Sequence, residues 1–178
     1  KIHVVYAGTL DPRKGGAIAA AAAAQFLSAQ YHVHIIGFGT SKDTYKLIDD
    51  IEQISKRTEA KITYDGLLSG NSYIEFLQKC HIGLSTQNPD ADFNDTSFPS
   101  KILSYMANGL RVVSIRIKAI ENSPMGKYLY YYNVQESENI AKAITKINLN
   151  DNYNSRAIIK DLNAEFLKHI KDLLKKSE

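Results

Sequence analysis

The stretch SFPSKILSYMANGLRVVS, running from Ser97 to Ser114, sets a polar helix start, a lysine in the first turn, a glycine stop and a buried strand in one unit. Ser97 or Ser100 can cap the helix, and Pro99 suits its first turn. The free backbone N–H groups of such an end point at whatever sits in front of them and attract phosphate. Lys101 in the first turn opposes the helix dipole, which favours acids at that end, so a cation there implies a bound anion that offsets the repulsion. An ordinary surface lysine beside an ordinary cap is the alternative when this segment is read alone. Gly109 then ends the helix, and Arg111 to Ile115 resumes as a strand rich in Val and Ile.

Outward from this unit, apolar periodicity marks a strand at Ile2 to Ala7, a loop from Gly8 to Gly16 and a small-residue helix from Ala17 to about Ser28. Val33 to Phe38 reads as a second buried strand ending in Gly37-Phe38-Gly39. Lys42 to Arg57 reads as an amphipathic helix with Leu47, Ile48, Ile51 and Ile54 on one face. A strand at Lys61 to Tyr64, a turn at Asp65-Gly66, a helix from about Asn71 to Lys79 and a strand at His81 to Thr86 follow. Beyond the opening unit come a weaker strand at Tyr128 to Tyr132 and a helix capped by Ser137 that runs through Ile147, with Ile140, Ala141, Ile144 and Ile147 inward. A final helix is expected from about Asn154 to Lys175.

Strands alternating with helices predict an α/β fold: a Rossmann-like parallel sheet with helices on both faces, as a single domain over residues 1–178. Ligands of such sheets lie beyond the carboxyl ends of the strands. The loops at Gly8 to Gly16, Gly37 to Gly39 and Asp65 to Gly70, and the helix start at Ser97 to Lys101, all follow strands and so share that edge.

A chain of 178 residues with 44% hydrophobic content can bury one good core. Its net charge of +3 and the lack of any dense basic and aromatic interleaving exclude a nucleic-acid surface. The lone Cys80 excludes an internal disulfide and points to a reducing compartment. His81 is merely adjacent to it, and His3, His32, His34 and His169 are scattered, so no structural metal and no cofactor are expected. No apolar run is long enough for a membrane span, and the block from Ala19 to Ala24 is too short, which predicts a soluble, cytoplasmic domain. The chain opens directly on a strand with no leader, which predicts that an N-terminal partner domain belongs in front of it.

Gly8 and Gly15-Gly16 can let backbone approach a diphosphate, with Arg13 and Lys14 supplying charge, although the pattern is neither a P-loop nor a dinucleotide fingerprint. A tight βα turn is the alternative. Gly37-Phe38-Gly39 lacks a third glycine and a charged ribose partner, which disfavours NAD. His34, in mid-strand, reads as a core or edge histidine. The tyrosines from Tyr128 to Tyr132 read as sheet packing, and Asp90, Asp92 and Asp95 as a solvated loop. Lys168, Lys171, Lys175 and Lys176 suit a helix C-terminus and also an anionic membrane surface, hence peripheral membrane contact.

Taken together, YAGTL…KG, VHIIGFG, ITYDGLLSGNSYIEFLQKCHIGLST and FPSKILSYMANGLRVVS resemble the C-terminal, donor-binding half of GT-B glycosyltransferases, specifically those like glycosyltransferase family 4. The resemblance spans Lys1 to about Ile147. It implies that Gly8, Lys14 and Gly15 on one side and Ser100 and Lys101 on the other hold the diphosphate of a UDP- or GDP-linked sugar. Gly66, Leu67 and Leu68 would face the nucleobase. The implied donor set also takes in Thr9, Arg13, Gly37, Phe98, Pro99 and Ser104. Lys14 and Lys101 would stabilise charge on the departing nucleoside diphosphate without a metal.

The departures are Thr9 where many members have Arg, Ser104 where the second Glu of a paired-glutamate motif contacts ribose, Thr96 near Asp95 where the first would lie, and Arg111 where Pro often precedes the strand. They read as divergence. The implied function is sugar transfer to a glycan or lipid-linked acceptor in bacterial surface polysaccharide synthesis. Acceptor and base would belong to the N-terminal domain, so this chain alone would bind donor without turnover. Two rivals are a sugar-nucleotide epimerase of GT-B architecture and a degenerate, non-catalytic interaction domain.

Overall fold

Strand β1 (Ile2–Thr9) pairs on one side with β2 (Tyr31–Phe38) and on the other with β4 (Ile82–Ser85), so the chain reverses its direction of build at the β1/β4 boundary. With β3 (Lys61–Tyr64), β5 (Arg111–Ile115) and β6 (Tyr130–Tyr132), the order is β3-β2-β1-β4-β5-β6 and every pairing is parallel. The computed structural model describes residues 1–90 and 98–175. Ser97, Thr96, Asp92, Asp95 and Lys176, each singled out in the sequence, lie outside the described residues.

Alternate residues of the central strands feed two separate cores, as the period of two along a strand requires. Val4 and Tyr6 pack with helices α1 (Gly16–Ala23), α2 (Ser41–Ser55) and α6 (Ser137–Thr145). Val5, Ala7 and Ile36 pack with α3 (Gly70–Gln78), α4 (Lys101–Ala107), α5 (Lys118–Glu121) and the first turns of α7 (Ser155–Lys175). The predicted α/β sheet covered on both faces is therefore the observed one. Ala17, Ala20, Ala21 and Ala23 of α1 are buried, small side chains on the face that packs toward the sheet.

Several boundaries differ from expectation. Helix α1 stops at Ala23 and continues as a 3-10 turn to Phe26, not to Ser28, where the Thr58 hydroxyl donates to the Ala24 carbonyl at 2.6 Å. Ser137 does not cap α6: Glu136 holds the cap position, and Ser137 is the first helical residue. Helix α4 begins at Lys101 with Ser100 in front of it, but the Ser100 hydroxyl makes no capping bond. Helix α5 was not foreseen, since four residues carry no readable period.

Tyr105 of α4 occupies the divergence between β1 and β4. Their registered pairing covers only Val4 with Ile82 and Val5 with Gly83. Above it the buried Tyr105 hydroxyl accepts from the Ala7 N–H at 2.7 Å and donates to the Leu84 carbonyl at 3.4 Å. Its ring lies over Gly83, where an added Cβ would come within 2.4 Å. A phenol thus replaces the ladder where the strands part.

Candidate functional site

Gly8, Gly37 and Gly66 line up across the carboxyl ends of β1, β2 and β3. Gly8 is in register with Gly37, whose N–H donates to the Gly66 carbonyl at 2.9 Å. At Gly37 φ is +145°, and a Cβ there would stand 1.7 Å from the Gly8 carbonyl oxygen, so only glycine fits. The result is an open cleft of about 470 Å³ between this row and the start of α4, lined among others by Leu67, Leu68, Tyr73, Ser100, Lys101 and Ser104.

Among the described residues no carboxylate lines the cleft, and Lys101 is the one charged side chain there. The Lys101 ammonium lies 4.2 Å from the centre of the Tyr6 ring, a cation–π contact on the floor of the cleft. Burial, with a smaller contribution from Lys14, pushes its pKa down to about 8. A Cβ on Gly8 would approach the ammonium to 2.9 Å, so the glycine is what leaves room for the lysine. Opposite, the Tyr73 hydroxyl and Ser104 Oγ are 3.2 Å apart, a pair that can offer hydroxyl groups to a ligand between α3 and α4.

The structure gathers Gly8, Gly37, Leu67, Leu68, Ser100, Lys101 and Ser104 around this one cleft. Thr9 and Arg13 line a second hollow, of about 650 Å³, that shares the Phe38 wall. There the Arg13 guanidinium is paired with the Asp11 carboxylate at 2.7 Å, which compensates the charge expected to meet a diphosphate. Lys14 and Gly15 sit in a tight turn, with the Lys14 N–H on the Asp11 carbonyl and the Gly15 N–H on the Pro12 carbonyl. Gly15, at φ +66°, leads into α1 away from the cleft, whereas the Lys14 charge is felt at Lys101. Phe98 packs against the second core, and the Pro99 carbonyl accepts the Ile102 N–H at 3.0 Å.

Sequence reasoning missed Tyr6, Tyr73 and Phe38. Tyr6 was absorbed into an apolar strand, and Tyr73 into a helix face. Phe38 did carry a signal, a large aromatic between two glycines at a strand end, and it stands 61% exposed between the two hollows. Arg111, one of the departures, is not in the cleft. Buried in β5, it forms an ion pair with Asp151 and lies 5.1 Å from the Tyr153 ring, fastening the segment before α7. Of the loop acids, Asp90 has its N–H on the Asn88 side chain, an ordinary turn. No helix among the described residues is long and apolar enough to cross a membrane.

Residues 1–150 match the family described as glycosyl transferases group 1. No curated protein matches the chain. Among solved structures, a glycosyltransferase of Rickettsia africae superposes with a TM-score of 0.68 at 15% identity, over 98% of this chain and 48% of that one. Anabaena HepE in complex with UDP and glucose gives 0.66 at 20% identity, over 96% and 48%. The C-terminal domain of the group 1 family protein LpcC from Francisella tularensis gives 0.64 at 16% identity, over 90% and 85%. The chain thus spans about half the length of the first two and most of the isolated C-terminal domain.

Proposed function

Because the chain belongs to the group 1 glycosyl transferases, with the Rossmann-like fold of a GT-B domain, we propose that its cleft holds the nucleoside diphosphate of a sugar donor. The observation that carries this reading is Lys101, a desolvated ammonium that, among the described residues, faces a cleft otherwise made of glycine backbone, hydroxyls and apolar side chains. A diphosphate supplies the missing negative charge, and the apolar wall of Leu67 and Leu68 suits a base. HepE was solved with UDP, which makes UDP the first nucleotide to test.

In this reading Lys101, aided by Lys14, stabilises the charge that grows on the departing diphosphate as the sugar–oxygen bond breaks. Preorganised charge in a half-dry site acts more strongly there than on the ground state. Tyr73 and Ser104 take the ribose, where relatives of the family use a glutamate. The acceptor, a glycan or a lipid-linked saccharide, and the base that activates it come from a further domain across the cleft. The lysines along α7 add peripheral contact with an anionic membrane surface.

The test is the melting temperature with UDP, GDP, ADP and CMP, repeated on Lys101→Ala. Nucleotide at about a hundred times its Kd stabilises by roughly 2.7 kcal/mol, several degrees for this size. A base-selective rise that Lys101→Ala removes is the expected result. A folded sample that responds to none of the four would overturn the reading in favour of a non-enzymatic interaction domain. Sugar transfer by residues 1–178 alone would overturn the assignment of the acceptor chemistry to another domain.

A further inference from the structure

We propose that His3, His32 and His34 form a binding site for one divalent transition-metal ion of the Zn²⁺ class, held by three imidazoles at the amino end of the sheet. Scattered in the sequence, they meet because the parallel register sets His3 beside His32, and the strand period puts His34 on the same face two residues on. One ring nitrogen of each lies within 4.8 Å of the other two. His3 Nδ1 and His34 Nε2 are already 2.9 Å apart. Tetrahedral zinc, with bonds of about 2.0–2.1 Å, spaces its nitrogens by roughly 3.3 Å, so small side-chain rotations open the site.

The groups behind the rings carry the argument further. His34 Nδ1 lies 2.9 Å from Asp65 Oδ2, a carboxylate behind a histidine, which fixes the tautomer with Nε2 as the lone-pair atom. The Thr63 hydroxyl donates to the same carboxylate at 2.8 Å and so accepts from His32 Nε2–H at 2.9 Å, leaving Nδ1 of His32 as its lone-pair atom. Both rings are therefore held in a defined tautomer, and that of His34 puts its lone pair on the nitrogen that faces His3. Binding replaces the His3–His34 hydrogen bond with two metal–nitrogen bonds as His3 moves its proton to Nε2. His32 and His34 are only 8% and 7% exposed, Phe76 sets its ring against His34, and half-exposed His3 gives the ion access and a place for a water ligand. An all-imidazole set suits Zn²⁺, Ni²⁺ or Cu²⁺ over Mg²⁺ or Ca²⁺.

The experiment uses tag-free protein of residues 1–178, titrated with ZnCl₂ by calorimetry and with Co²⁺ by visible absorption. Expected are one equivalent bound, tetrahedral Co²⁺ bands, a melting point several degrees higher and reversal by EDTA. Since replacing buried His34 can cost the fold, the decisive variant is His3→Gln. It should abolish binding with unchanged circular dichroism, while His169→Gln on α7 leaves binding intact. Asp65→Asn, a change at a positioning residue, should weaken binding by about 10- to 100-fold. Lack of saturable binding, or binding that survives His3→Gln, would overturn the proposal and leave the cluster a hydrogen-bonded packing element.

Discussion

At the carboxyl ends of β1 and β2, Gly8 and Gly37 stand side by side and leave Lys101 as the one charge among the described residues of an open cleft, whereas at the amino ends of the same strands His3, His32 and His34 fill the space with closely packed rings. His3 and Gly8 are five positions apart on one strand, roughly 16 Å at the usual rise. Register and pairing are the same at both ends, so the contrast comes from side-chain size and from where hydrogen-bond partners lie. One end is emptied by glycine and keeps a cation with no acid among the described residues that line it. The other is filled and passes its ring protons to Asp65 and Thr63. Two unlike environments stand at the two ends of one pair of strands without any change of fold.

The harshest way to break the contrast is Gly37→Ala. The new Cβ meets the Gly8 carbonyl, so the strand ends must separate, and a loss of about 3 kcal/mol or more in urea unfolding is expected. A stability within about 1 kcal/mol of the original would refute the packing described for the glycine row. Next comes Lys101→Met, which should weaken UDP binding by about 10- to 100-fold, as for a lost charge-assisted contact. The same change should raise the urea midpoint at pH 7. Its folded pKa lies below the unfolded one, so the buried ammonium costs stability below pH 8, and the cost is relieved as pH climbs toward 10.5. Function and stability pulling apart at one residue is the signature of a site and not of a core.

Smaller effects sharpen the picture. UDP affinity should be level below pH 8 and fall about tenfold per pH unit above it, because the free protein must then recover a proton to bind. Calorimetry in buffers of different ionisation enthalpy would detect that proton uptake, and a flat profile to pH 9.5 would remove Lys101 from the phosphate contact. Last, Tyr73→Phe loses one half-buried bond to Ser104 and should cost about 1 kcal/mol or less in stability, with a few-fold loss in UDP affinity. A variant that binds UDP as before would place the ribose elsewhere.

Most of the architecture was legible because parallel strands buried on both faces read as unbroken apolar runs, and Lys61–Tyr64 and Arg111–Ile115 appear with the expected bounds. Lys101 and Gly8 were legible as neighbours of one cleft because helix starts and glycine loops carry local signals, and Ser104 only through the family resemblance. What escaped depends on contacts between distant segments. Tyr6 sits under Lys101 across 95 positions, and His3 meets His32 and His34 only through the register of two strands. Arg13 carries a contact of the opposite, local kind, an exposed guanidinium paired with the carboxylate two residues away.

The Tyr105 hydroxyl, wedged between the Ala7 N–H and the Leu84 carbonyl, makes the gap at the head of the sheet a matter of one phenol's length. Because the same helix carries Lys101, the backbone of that lysine is referenced to both strands at once. Loops around the mouth can therefore be exchanged for others while the start of α4 stays set against the two strand ends by Tyr105.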